Sequence, residues 1–294
     1  MSRHRAIPAL PVLAAIAAAS GTPPAQAAES FDSCAGTIPS LPAVISTQGV
    51  WCMQGDLSSA STSGNAITVT ANNVTIDCNG FKLGGLAAGP ATTSFGIFAE
   101  NRTNITVRHC NLRGFLAGIA IVGTGGGHVV EDNRFDGITF IGMSVEGDGS
   151  AIRRNQVFDT GGSTLEAVTQ LRGISLAGSG EVIDNAVRGV DASYLPEADV
   201  IGIFIANARG ASVRDNRVSG LVKGTGAGDE AMGVVIASSS GVAVRDNDLD
   251  AMEGDQGIRC AAGPANNVAR ENVMHDFAVP ILNCADGGGN WSWP

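Results

Sequence analysis

A six-residue box, apolar-x-x-Asn-x-apolar, recurs along this chain and limits what it can fold into. Copies stand at Val130–Phe135, Ile152–Val157, Val182–Val187, Val213–Val218 and Val244–Leu249, centred on Asn133, Asn155, Asn185, Asn216 and Asn247. Ile76–Phe81 fits around Asn79, Val107–Leu112 fits with Cys110 in the Asn place, and Ala269–Met274 is a weaker last copy around Asn272. Between boxes runs a second pattern, Gly followed by alternating apolar residues, as in Gly118–Ile121, Gly142–Val145, Gly173–Leu176, Gly202–Ile205 and Gly233–Ile236. Alternation at period two marks strands with one buried side. Apolar residues three before and two after the Asn both point inward only if the chain bends there. Asn tolerates the left-handed backbone that such a bend needs. One bent unit cannot bury its apolar side alone, so copies must stack. Stacking places Asn on Asn, whose side-chain amides can hydrogen-bond as a ladder. Copies 22 to 31 residues apart suit one turn of a three-sided coil. A β-sandwich would also show short strands and turns, but it gives no reason for the box. The expected fold is all-β, a single-stranded solenoid of parallel strands with about eight coils.

These boxes, together with the opening Ile45–Leu57 and the following Asn73–Gly80, resemble the right-handed parallel β-helix proteins of the pectin-lyase-like superfamily, in particular exported bacterial members. The resemblance covers roughly Ile38 to Asp276. It implies a right-handed parallel β-helix over 67–284, an N-terminal cap segment over 28–66 and a C-terminal tail over 285–294. It does not imply one reaction, because this fold hosts lyases, hydrolases, epimerases and adhesins. The Gly-His-Gly and Arg-Ile-Lys motifs of polygalacturonases, the Trp-x-Asp-His of pectate lyases and the Asp-Pro-His-Asp of alginate epimerases are missing, and Gly127-His128-Val129 is only a fragment of the first.

The chain opens with Arg3 and Arg5, an apolar run over Ala6–Ser20 and the small-x-small site Ala25-Gln26-Ala27, the order of a secretory signal peptide over 1–27. Pro8 and Pro11 interrupt a run too short to span a bilayer, and no membrane span is expected elsewhere. A secreted or periplasmic location follows. An even set of six cysteines then reads as disulfides. Joining neighbours gives Cys34–Cys52, Cys78–Cys110 and Cys260–Cys284, although fifteen connectivities are open to the sequence. A zinc site is the alternative, but no Cys-x-x-Cys pair exists. The formal charge is −10, and losing Arg3 and Arg5 with the leader takes it to −12. With Lys82 and Lys223 the only lysines, nucleic acid and anionic membranes are excluded as partners. The expected partner is a polysaccharide or cell-surface glycan, bound or processed, neutral more readily than polyanionic, and the expected state is a monomer.

The intervals to Asn185, Asn216 and Asn247 grow to about 30 residues, against 22 or 23 before them. The extra residues fall at 158–172, 188–201 and 219–232. All lie between the same two strands and should project from one edge of adjacent coils as a wall. Long loops on a rigid scaffold are where function concentrates. The wall is acidic: Asp159, Glu166, Asp191, Glu197, Asp199, Asp229 and Glu230. As a solvated surface it keeps an exported protein soluble. As a groove it would bind sugar hydroxyls or Ca²⁺, the hard cation that carboxylates hold. Parity from inward Ile97, Ile119, Met143, Ile174, Ile203, Val234 and Ile258 predicts an outward row of Phe98, Ala120, Ser144, Ser175, Phe204, Val235 and Arg259. Two positions beyond, Glu100 and Glu146 lie two coils apart, about 10 Å along the axis. That spacing suits the acid and base of an inverting glycosidase, and Phe98 or Phe204 could stack on a sugar ring. Substrate contacts are therefore expected from Phe98, Phe204, Arg259, Glu197, Asp199, Asp229 and Glu230. A non-catalytic adhesion module is the competing expectation. Arg108, Arg153, Arg214, Arg245 and Arg270, beside Asp132, Asp184, Asp215, Asp246 and Glu271, read as an exposed ion-pair lattice.

Overall fold

The computed structural model describes residues 34–165, 167–195, 197–261 and 266–293. The leader over 1–27 and Glu166 lie outside them. The described chain winds as a right-handed parallel β-helix, and every strand pairing is parallel. Each coil runs through three faces. Face one holds the strand before the box Asn, such as Val129–Glu131. Face two holds the strand after it, such as Arg134–Asp136. Face three holds the glycine-led strand, such as Ile141–Glu146. Face one carries eleven strands, Gly36–Ile38 to Ala285–Asp286, against about eight expected coils. The ladders run past both expected boundaries. Residues 34–66, read as a cap, supply Gly49–Met53 to face one, Leu57–Ser58 to face two and Asn65–Val69 to face three. In the expected tail, Trp291–Trp293 pairs with Val273–His275 on face two.

The core is a set of stacked aliphatic columns. Ile76, Val107, Val130, Ile152, Val182, Val213 and Val244 line face one at 0% exposure, each in register with the next. Ile67, Ile97, Ile119, Met143, Ile174, Ile203, Val234 and Ile258 do the same on face three. One coil buries little, and the stack buries everything.

The Asn ladder runs through Asn133, Asn155, Asn185, Asn216, Asn247, Asn272 and also Asn290. Its mechanism differs from the expected one. The left-handed residue is the one before each Asn from Asn133 to Asn272, and before Cys110 in its place: His109, Asp132, Arg154, Asp184, Asp215, Asp246 and Glu271, with φ between 53° and 57°. The Asn itself is turned inside, where its amide satisfies backbone groups that the bend leaves unpaired. Asn185 Nδ2 donates to the carbonyls of Ile152 and Ile183 and to Asn216 Oδ1, each at 3.0 Å, while its Oδ1 accepts from Asn155. The first copy is displaced. Asn79 takes the left-handed corner (φ 52°), Cys78 bonds to Cys110, and Leu83 rather than Phe81 enters the core column with Leu112.

The three disulfides are Cys34–Cys52, Cys78–Cys110 and Cys260–Cys284, as neighbour pairing gave. The charged ridge is ion-paired. Arg108 reaches Asp77 across coils at 2.7 Å and Arg153 reaches Glu131 at 2.8 Å, while Arg214 turns to its own neighbour Asp215 at 2.8 Å. The Arg154 guanidinium beside Asp132 holds that carboxyl below its usual range. His128 is 1% exposed and its Nδ1 accepts from the Ile105 N–H, so burial pushes its pKa down. The unfolded chain then binds a proton that the folded one refuses, and stability falls as pH drops below the ordinary histidine range, near 6.5. His128→Gln should flatten the pH dependence of urea unfolding between pH 5 and 7. A slope unchanged by the substitution would remove His128 as its source.

Candidate functional site

The long loops leave face two at Gly161, Asp191 and Val222 and rejoin face three at Gln170, Asp199 and Ala231. They stand on adjacent coils along one edge, as expected. The predicted outward row is present as one register column: Phe98, Ala120, Ser144, Ser175, Phe204, Val235 and Arg259.

A kink separates that row from the residues three places upstream. Gly142, Gly173, Gly202 and Gly233 sit where each strand turns the corner into face three. A Cβ on Gly173 would lie 2.4 Å from Val187 Cγ1 and 2.8 Å from the Gly202 carbonyl oxygen. The kink reverses the alternation, so Arg172, Ile201 and Met232 lie outside the barrel although they stand two residues from inward positions. Ile201, Met232 and Val235 are at most 7% exposed and pack with Phe204 as a small second core on the outer surface.

Charged side chains roof this outer core. The Arg172 guanidinium lies 3.8 Å from the centre of the Phe204 ring, and its Nε and Nη2 donate to Gln170 Oε1. Burial lowers its pKa. Arg259 Nη1 donates to Glu230 at 2.6 Å and lies 3.4 Å from Met232 Sδ, and Gln256 Nε2 donates to the same carboxylate at 2.6 Å. Phe204, Arg259 and Glu230, expected to meet substrate, are therefore engaged with protein partners. Phe98 is half-buried against Phe95, with ring centres 5.5 Å apart.

Beside this roof, between the loops, opens a cleft of about 480 Å³. Phe140, Ala167, Thr169, Gln170, Arg172, Glu197, Asp199 and Asp229 line it, with Gln170 and Asp199 in register on neighbouring strands. Asp199 Oδ1 accepts from the Glu230 N–H at 2.9 Å and Asp229 Oδ2 from the Gly226 N–H at 2.8 Å. Glu197 is exposed and forms no hydrogen bond to a described residue. The cleft thus brings together three of the predicted residues. It adds Phe140, and also Arg172 and Gln170, which strict alternation concealed. Among the described residues no three acidic, histidine or cysteine side chains converge to hold a metal ion, so the calcium expectation gains no cage. Glu100 and Glu146 share one register column two rungs apart, at the far end of the face-three strands and outside the cleft. Glu146 accepts the Gly123 N–H at 2.6 Å and Glu100 is exposed.

Solved structures share this architecture. The Dettilon tailspike protein superposes with a TM-score of 0.55 at 12% identity, covering 87% of this chain and 59% of the tailspike chain. The enzymatically active domain of tailspike protein 2 from bacteriophage CBA120 gives 0.57 at 15% identity, covering 88% and 41%. The catalytic domain of an α-1,3-glucanase in complex with tetrasaccharides aligns at 12% identity with a TM-score of 0.46, covering 88% and 64%. The first two establish the parallel β-helix, and this chain spans about half their length. No family model and no curated protein matches the sequence. No described helix is long and apolar enough to cross a membrane.

Proposed function

We propose that this is an exported glycan-binding β-helix protein that takes a neutral polysaccharide in the cleft between its long loops. The observation that carries the reading is the donor and acceptor mix of that cleft. Arg172 and Gln170 offer N–H groups held in place by their own packing, and Glu197, Asp199 and Asp229 offer carboxylate oxygens, with Phe140 in the apolar lining. Sugar hydroxyls donate and accept at once, and a pocket with few, fixed polar groups orients them. Three carboxylates against one arginine disfavour an anionic chain. Three disulfides fit folding in a secreted or periplasmic setting. Glu100 and Glu146 lie outside this cleft and have no part in the binding it would perform.

Calorimetric titration of the full chain with neutral and uronic oligosaccharides tests the reading. Glu197→Gln and Arg172→Lys should each weaken binding of a neutral glycan about tenfold, or roughly 1.4 kcal/mol, the first with an unchanged melting temperature and the second with a small drop. The lysine keeps the charge but loses the flat fork that lies on Phe204. Binding that ignores both substitutions, or no binding to any neutral glycan, sinks the proposal. Release of shorter products by the wild-type chain, lost in Asp199→Asn, would add hydrolysis or elimination to binding.

A further inference from the structure

Two of the three tryptophans stand side by side in the open on a different face. Trp291 and Trp293 are 64% and 48% exposed on the outermost described strand of face two. Trp293 stacks on His275 of the neighbouring rung, ring centres 4.7 Å apart and planes within 7°. Trp291 lies 6.2 Å from Trp293, its plane only 23° away. The three rings are therefore nearly parallel, and both indoles keep much of their surface open.

We propose that Trp291 and Trp293 form a second glycan-binding platform, independent of the loop cleft, on which the apolar faces of two consecutive pyranose rings of a neutral glycan lie. Their spacing is comparable to the length of one pyranose unit, so adjacent indoles can meet adjacent sugars. Exposed apolar surface of this kind marks a contact site. Other flat partners fit less well. Nucleic-acid bases stack on aromatic side chains within basic grooves, whereas this chain carries −10 and places Asp286 nearby, bonded to Asn290 in the turn before the strand. A second copy of the chain needs about 800 Å² per partner for a stable dimer, and two partly exposed indoles offer on the order of 300 Å². The His275 ring stacked on Trp293 fixes the indole, which stays exposed.

Tryptophan fluorescence of the full chain, titrated with cellohexaose, maltohexaose, laminarihexaose and chitohexaose, tests this. At least one hexaose should shift the emission to the blue in a saturable way. Trp291→Ala and Trp293→Ala should each raise Kd tenfold or more, and Trp293→Phe should restore part of the loss. Far-UV dichroism and melting temperature should stay at wild-type values, since neither indole is in the core. The cleft variant Glu197→Gln should keep the full fluorescence response, which separates this platform from the cleft. No response to any of the four probes overturns the proposal, as does a response that survives the double alanine variant. Trp-dependent self-association in sedimentation velocity would assign the surface to a second copy instead and would equally overturn it.

Discussion

Asn185→Ala will lower the unfolding free energy by about 4 kcal/mol, read as a drop in the urea midpoint at constant slope. The size follows from what one amide holds. Its Oδ1 accepts the backbone N–H and the Nδ2 of Asn155, at 2.9 and 3.0 Å, and its Nδ2 donates to two carbonyls and to Asn216. All of this sits in a residue 2% exposed. Alanine leaves the Asn155 backbone N–H buried without its partner and takes one partner each from Asn155 Nδ2, the Ile152 and Ile183 carbonyls and Asn216 Oδ1, across three coils; an unsatisfied buried group costs roughly 1–3 kcal/mol, and the weakened bonds add to it. Asn185→Asp should do comparable damage, because an ionised carboxylate keeps the acceptors, loses the donors and buries a charge. Asn290, half-buried at the outer rung of the ladder, should cost markedly less when changed to alanine. A loss below 1 kcal/mol at Asn185 would mean that the ladder is a consequence of stacking rather than a source of stability.

Gly202→Ala will destabilise the protein by roughly 3 kcal/mol. Its sign distinguishes two explanations for the glycine column. Were these glycines only loose links, alanine would reduce the freedom of the unfolded chain and stabilise slightly. Gly202 does not adopt a left-handed φ, so conformation alone would permit alanine. The obstacle is space. A Cβ would lie 2.4 Å from Val218 Cγ1 and 2.7 Å from the carbonyl oxygen of Gly233 on the next coil. The valine methyl could rotate away, but the carbonyl belongs to the strand ladder and cannot. Gly142, Gly173 and Gly233 meet the same carbonyl-on-glycine contact and should respond alike. A thermal melt showing Gly202→Ala at or above wild type would refute the steric account.

Stacking made the fold legible because each coil repeats the same demands. The Val and Ile on either side of each Asn had one place to go, and parity from Ile174 and Ile203 placed the whole outward row from Phe98 to Arg259 correctly. Cys110 in an Asn slot was readable for the same reason. The backbone role of the box was not. Sequence could not separate the Asn from the residue before it, since Asp and His also tolerate the left-handed region, and Arg154 occupies it as well. The cleft was half legible. Glu197, Asp199 and Asp229 followed from loop length and charge. Arg172 did not, because the glycine kink turns it outward against the alternation that works everywhere downstream. Nor can parity tell which outward residues are roofed. Phe204 and Arg259 face outward as expected, yet Arg172 and Glu230 hold them.

The placement of the disulfides has a mechanical consequence. A solenoid, whose coils touch only their neighbours, comes apart by fraying inward from its first and last turns. Here Cys34–Cys52 and Cys78–Cys110 lie toward one extremity and Cys260–Cys284 toward the other, and each ties a coil to the next. Between them, the middle coils rely on noncovalent stacking and on the amide ladder. A tied pair leaves the stack only as a unit, so lifting either member must break the contacts of both coils at once. Reduction would let each coil part by itself.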